Sequence, residues 1–150
     1  KARVELLVRD AQRDGAGGLQ DFERELPTPG ALWMRYALGR RETRVDWING
    51  ACMVLPRSAW EAVGGFDESY FMYCEDVDLC LRLRLAGLAL VRAPVQVLHD
   101  GQRASHRRVR AFGWHVSSLL RLWRSPVYKA ALSLCLLRRS TDAVDRVDAP

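Results

Sequence analysis

Apolar and polar positions change rhythm several times along the chain, and each change predicts an element. Val4 to Val8, "VELLV", is an apolar run of strand length. The stretch after it, "RDAQRDGAGGLQDFERELPTPG", is rich in Gly, Pro and charge and predicts a surface loop with one short helical turn. In "ALWMRYALGR", Leu32, Trp33, Tyr36 and Ala37 form a helical stripe that ends at Gly39. "VDWINGACMVLP" then gives two β-prone runs broken at Asn49 and Gly50, the pair most able to take positive φ. "RSAWEAVGGF" reads as a brief helix from a Ser58 cap to a stop at Gly64 and Gly65.

In "EDVDLCLRLRLAGL", Val77, Cys80, Leu81 and Leu85 fall on one helical face, with Arg82 and Arg84 expected to point away and Gly87 to end the helix. "ALVRAPVQVLHD" alternates like short strands split by Pro94. From His106 to Trp123 the pattern predicts an amphipathic helix with Val109, Phe112, Val116, Leu119, Leu120 and Trp123 facing inward, and a second helix from about Val127 to Leu137. The tail "STDAVDRVDAP" reads as frayed. Alternating strands and helices favour an α/β fold, and some connections are too short for parallel crossovers, so the sheet should be mixed.

Composition narrows the picture. The 150 residues, 49% apolar and 27% charged, have the size and balance of one soluble globular domain, which excludes disordered and fibrous classes. A first strand entered at once from Lys1 suggests part of a longer protein. The net charge of +5, from 23 basic and 18 acidic residues, is concentrated in "RASHRRVR" and beyond. It suits a polyanion such as a diphosphate, an acidic membrane surface or nucleic acid. No nucleic-acid-binding motif accompanies it, so nucleic acid is not expected as a partner. Cys52, Cys74, Cys80 and Cys135 form no C-x-x-C pair and stand among apolar residues, which argues against a metal knuckle or a disulfide framework and for a reduced, cytoplasmic setting. No apolar run approaches the roughly 18–20 residues that a spanning helix needs.

The densest chemistry is in "YFMYCEDVDLC", where Glu75, Asp76 and Asp78 open a helix behind a cluster of aromatics. Acids in a first helical turn are explained by the unpaired N–H groups and the helix dipole alone. They equally suit a carboxylate at the rim of a pocket walled by aromatic rings on which a sugar or base stacks, where it can act as general base. Composition and spacing leave both readings open.

The ordered set "NGAC", "VGGFDE", "FMYCEDVDLC" and "HDGQRAS" resembles the C-terminal half of the catalytic domain of family 2 glycosyltransferases, in the bacterial rhamnosyltransferase-like branch, over about residues 45–123. The resemblance implies the C-terminal part of a GT-A domain, Rossmann-like with a mixed sheet, followed by C-terminal amphipathic helices. It implies an inverting transfer in which Asp76 deprotonates the acceptor hydroxyl, with Glu75 in support and the helix N-terminus keeping Asp76 anionic. It also implies that Gly50 and Ala51 form a wall beside the sugar, that Phe71 and Tyr73 belong to the substrate surface, that His99 lies near the metal and diphosphate, and that Arg103 and Ser105 hold phosphate oxygens.

The divalent metal, Mn²⁺ or Mg²⁺, would be held mostly by a nucleotide-binding half that has no counterpart in this sequence. Residues 1–105 are thus expected to be the acceptor-side, catalytic-base portion, and residues 106–150 a helical extension. The partners implied are a nucleotide diphosphate sugar, of which dTDP-rhamnose is one candidate, and a saccharide or lipid-linked glycan acceptor of the cell envelope. A basic helix from Arg107 to Arg124 suits peripheral contact with an anionic inner leaflet, or simply a packed helix with a solvated basic face. The alternative from another class is a non-catalytic remnant or binding module of such an enzyme.

Overall fold

The computed structural model describes residues 5–9, 12–13, 19–20, 23–40, 45–93, 97–98 and 109–135. Strand β1 (Glu5–Arg9) pairs in parallel with a later strand, Ala89–Ala93, in the register Leu7 to Val91. In the Gly-rich stretch, strands β2 (Gln12–Arg13), β3 (Leu19–Gln20) and β4 (Glu23–Arg24) appear in place of the expected helical turn. Backbone pairing to distant strands overrides the local loop signal there. Helix α1 (Pro29–Leu38) starts at a Thr28 cap, whose Oγ1 accepts the Ala31 N–H at 3.0 Å, and stops at Gly39 with φ 61°. Its expected buried stripe is absent: Trp33 and Tyr36 are 67% and 66% exposed, because no described element packs over that face.

Strand β5 (Trp47–Ile48) pairs antiparallel with β4, with Arg24 opposite Trp47. The second β-prone run reduces to a lone bridge at Val54. Helix α2 (Arg57–Val63) begins at Pro56 with no side-chain cap, so Ser58 lies inside the first turn and is not the cap; Gly64 in the left-handed region ends it. Helix α3 (Glu75–Leu85) leads into β6 (Ala89–Ala93), and β7 (Val97–Leu98) lies parallel to β2 in the order β3-β2-β7, a mixed sheet as expected. Helix α4 (Val109–Arg124) and the helical residues 126–135, here α5, complete the α/β arrangement. Among the described residues no helix is long and apolar enough to cross a membrane.

Helix α3 is the centre of the packing and is covered on two sides. Leu79, Cys80 and Leu83 join Ile48 and Ala59, against β5 and α2. Val77 and Leu81 join Leu26, Tyr70, Leu122, Tyr128 and Ala131, against α4 and α5. Burial all round replaces the single stripe expected for this helix, and Leu85 is left partly exposed. Each fully buried leucine contributes about 1.5–3 kcal/mol relative to exposure.

Nor do the two arginines point away. Arg82 Nε donates to Asp78 Oδ2 at 2.7 Å, and its guanidinium also reaches the Val63 carbonyl. Arg84 donates to the carbonyls of Val45 at 2.8 Å and Asp46 at 3.0 Å. A helix sandwiched on both sides leaves these side chains only its neighbours' backbone and carboxylates to bond.

Helix α4 turns only part of the expected face inward: Leu119 and Trp123 pack against the core as expected. Ala111, Ser118 and Leu122 are buried and His115 is half-buried, whereas Phe112, Val116 and Leu120 are exposed. The inward line 111, 115, 118, 122 is fixed by specific bonds: Ser118 Oγ donates to the Met72 carbonyl at 2.7 Å, and Trp123 Nε1 to the Pro27 carbonyl at 2.7 Å. Apolar side chains on two faces make either rotation compatible with the sequence pattern.

Candidate functional site

The site forms where β5 ends on α3. Ile48, 1% exposed, seats the strand on Leu79, Cys80 and Leu83, and the chain then turns across the start of the helix. The Gly50 N–H donates to Asp76 Oδ2 at 2.9 Å, while Asp76 Oδ1 accepts the N–H of Val77 at 2.8 Å. A Cβ at position 50 would sit 3.4 Å from Asp76 Cβ, in van der Waals contact, so the turn lies directly against the aspartate and a larger side chain there would press on it. The expected positive φ is not found there: neither Asn49 nor Gly50 is among the positive-φ residues.

Positive φ falls instead on Tyr73 (70°) and Cys74 (67°), two consecutive residues with side chains. Left-handed backbone costs such residues about 1–2 kcal/mol each. It is held by the burial of Tyr70 and Cys74, by the Ser118 bond to the Met72 carbonyl, and by the Tyr73 ring set edge-on to His115 at 4.8 Å. This sharp reversal starts α3 at Glu75 without a side-chain cap and brings Asp76 against the Gly50 turn. Strain of this kind concentrates at working sites.

The electrostatics of Asp76 run against the expectation that the helix N-terminus holds its pKa down. Burial, and then the neighbouring Glu75 charge, push it up from 3.8 to about 6, outweighing the N–H groups of Gly50 and Val77. At pH 7 the group is still about nine-tenths ionised, and it is a far better proton acceptor than an ordinary aspartate. The carboxylate accepts the N–H groups of Gly50 and Val77 on separate oxygens and is also stabilised by its own backbone N–H. Glu75 Oε2 is buried with no hydrogen-bond partner among the described residues, an acceptor beside the base. Burial pushes the thiols of Cys74 and Cys80 up to about 12, which makes them inert, and none of the four cysteines is in a disulfide.

Of the remaining candidate residues, Ala51 is exposed next to Gly50, its N–H 3.3 Å from Asn49 Oδ1. The aromatics do not form one wall. Phe66 meets Trp60 edge-on, Tyr70 is buried, Phe71 is exposed against Trp114 at 5.2 Å, and Tyr73 meets His115 edge-on. The reversed backbone at 73–74 sends successive rings to different neighbours. His99, Arg103 and Ser105 lie outside the described residues. Among the described residues no group of three or more His, Cys, Asp or Glu side chains could hold a metal ion.

Two supports went unnoticed in the sequence. Asp46, 4% exposed, accepts the Leu26 N–H at 2.9 Å on Oδ2 and meets Arg84 at 3.3 Å on Oδ1. Asp78, 3% exposed, is a buried ion-pair partner of Arg82 and more than a first-turn carboxylate. Their one signal was arginine inside an otherwise leucine-rich helix.

Comparison with known proteins gives a consistent picture. The family described as "Glycosyltransferase like family 2" matches residues 32–122, which include β5, α2, α3 and most of α4. The chain is 37% identical over 125 residues to the rhamnosyltransferase WbbL of Escherichia coli strain K12, covering 73% of this chain and 47% of that protein. It is 49% identical over 67 residues to an N-acetylglucosaminyl-diphospho-decaprenol L-rhamnosyltransferase of Mycobacterium tuberculosis, covering 44% of this chain and 22% of that one. The O-antigen biosynthesis protein RfbC of Myxococcus xanthus is 33% identical over 114 residues. The chain thus spans less than half the length of these curated relatives. No solved structure matches it.

Proposed function

We propose that this chain, which belongs to the "Glycosyltransferase like family 2" family, carries the catalytic base and acceptor side of an inverting glycosyltransferase that builds an envelope glycan. The observation that supports this best is Asp76: a carboxylate oriented by the backbone N–H groups of Gly50 and Val77, raised to about pKa 6, beside a Glu75 oxygen with no donor among the described residues. The fold is then the C-terminal part of a GT-A domain over residues 1–105, with 106–150 a helical extension.

In the proposed step Asp76 takes the proton of an acceptor hydroxyl as that oxygen forms a bond to the anomeric carbon. The bond from that carbon to the nucleotide diphosphate breaks on the opposite face, and the diphosphate leaves with the electron pair. Glu75 Oε2 accepts a hydrogen bond from a second acceptor hydroxyl and so orients the sugar. The Gly50–Ala51 turn and Tyr73 border the acceptor, and Arg103, Ser105 and His99 serve the diphosphate side. A divalent cation would neutralise the diphosphate. The described residues form no site for it, and the steps given to this chain use its carboxylates.

The names of the relatives favour a rhamnosyl donor such as dTDP-rhamnose and a lipid-linked acceptor. Such an acceptor puts the reaction at the cytoplasmic face of a membrane, with this chain in peripheral contact. In the full-length protein, Asp76→Asn should abolish transfer from a nucleotide diphosphate sugar while donor binding, read by calorimetry, is kept. Turnover retained by the variant would remove Asp76 from the base role.

A further inference from the structure

A concave surface lies against the segment that leads into Asp76. It is a groove of about 690 Å³ between Asp67–Phe71 and the outer side of α4, and it ends where α4 meets α5. Trp114, Ser117, Arg121 and Ser125 recur along its floor at helical spacing, and Arg124 lines the same end. At 1.5 Å per residue, Trp114 and Arg124 lie about 15 Å apart along the helix axis.

The two ends differ in chemistry. At one, the exposed Phe71 ring leans on Trp114. At the other, Arg121 and Arg124, both exposed and in ion pairs with no carboxylate among the described residues, stand beside the first turn of α5. That turn is capped by Ser125, whose Oγ accepts the Tyr128 N–H at 3.0 Å. Two guanidinium groups, a serine hydroxyl and a helix N-terminus converging on one place suit a phosphate. The groove also holds one carboxylate, Asp67, whose Oδ1 accepts the Ser69 N–H at 2.9 Å and whose charge is attracted by Arg121, the guanidinium of which lies over the Tyr70 ring at 6.0 Å. The groove's wall and the base share one short segment: Tyr70 and Phe71 line the groove, Met72 is bonded to Ser118, and Asp76 follows four residues later.

We propose that this groove binds the phosphate groups joining the sugar to the lipid in the acceptor, with Arg121, Arg124 and Ser125 on the phosphate oxygens and the first stretch of the lipid chain on Phe71 and Trp114. The inference rests on the reading of the acceptor as lipid-linked. It assigns specificity to a site apart from Asp76, so that a sugar held by its phosphate is offered to the base from a fixed anchor.

The test compares two acceptors in the full-length protein: a saccharide on a short polyprenyl diphosphate, and the same saccharide as a phosphate-free alkyl glycoside. In Arg121→Gln/Arg124→Gln the ratio of kcat/KM for the first over the second should fall at least tenfold, chiefly through KM. Lysine at both positions should restore part of it. An equal fall on both acceptors, or no change in the ratio, overturns the proposal.

Co-sedimentation with phosphatidylglycerol vesicles should be the same for wild type and variant. Loss of vesicle binding with an unchanged ratio would assign the groove to membrane headgroups and overturn it. If wild type uses neither acceptor, the parent reading fails, and calorimetry with geranyl diphosphate still decides the groove. Binding that the variant loses supports it, and absence of binding to wild type overturns it.

Discussion

Replacing Asp76 by Asn tests the charge balance at the centre of the site through stability, independently of any substrate. The folded-state pKa of about 6 lies above the ordinary value of 3.8. As pH rises the unfolded chain therefore releases this proton first, and between the two values the folded state holds more protons. The favourable contribution is fully present below about pH 4 and is lost as pH rises through about 6. At about 1.4 kcal/mol per pKa unit, roughly two units of elevation amount to a loss of about 3 kcal/mol by neutral pH.

The asparagine variant escapes that loss but meets another. Its side chain offers one acceptor oxygen to two N–H groups, those of Gly50 and Val77, so its amide nitrogen faces a donor. An unsatisfied pair of this kind costs about 1–3 kcal/mol, independent of pH. Urea unfolding of both proteins from pH 4 to pH 8 should therefore show the variant gaining about 3 kcal/mol on the wild type across the range, from a starting offset in the wild type's favour. A difference that stays flat with pH would refute the raised pKa and, with it, the claim that burial and Glu75 outweigh the two N–H groups.

Three further outcomes follow from the same geometry. Valine at Gly50 adds two methyl groups beyond a Cβ that would already touch Asp76 Cβ at 3.4 Å and should push the turn off Asp76; losing the N–H that lowers the Asp76 pKa should move the acid limb of the kcat/KM profile above pH 6. Asp78→Ala leaves the Arg82 guanidinium largely buried without its counter-charge and should cost about 3–5 kcal/mol in thermal or urea unfolding, while Asp78→Leu with Arg82→Met should cost much less. Leu122→Ala, at a position with no exposure between α3, α4 and α5, should destabilise by about 2–5 kcal/mol on unfolding and loosen the groove end of α4, read as faster amide exchange there.

The sequence by itself determined the elements whose signals are local. The Thr28 and Gly39 stops bound α1, the acidic turn opens α3, Pro94 separates β6 from β7, and the 3.6-residue period marks α4, because caps, glycines and periodicity act within one or two turns of chain. The motifs around Glu75–Asp76 marked the region of the site for the same reason.

Which way a helix faces, and what a charged residue meets, depend on partners distant in the chain. The apolar positions of α4 allow two rotations, and only Ser118 against Met72 and Trp123 against Pro27 select one. The arginines of α3 look solvated until both sides of that helix are covered and their bonds run to Val63, Val45 and Asp46. Gly50 suggested a flexible bend, but tertiary packing sets it directly against Asp76, with its N–H on the carboxylate. The burial around it and the Glu75 charge, outweighing the Gly50 N–H, convert an ordinary first-turn acid into one with a pKa of about 6. Desolvation is a property of everything packed around a group, and no local stretch of sequence encodes it.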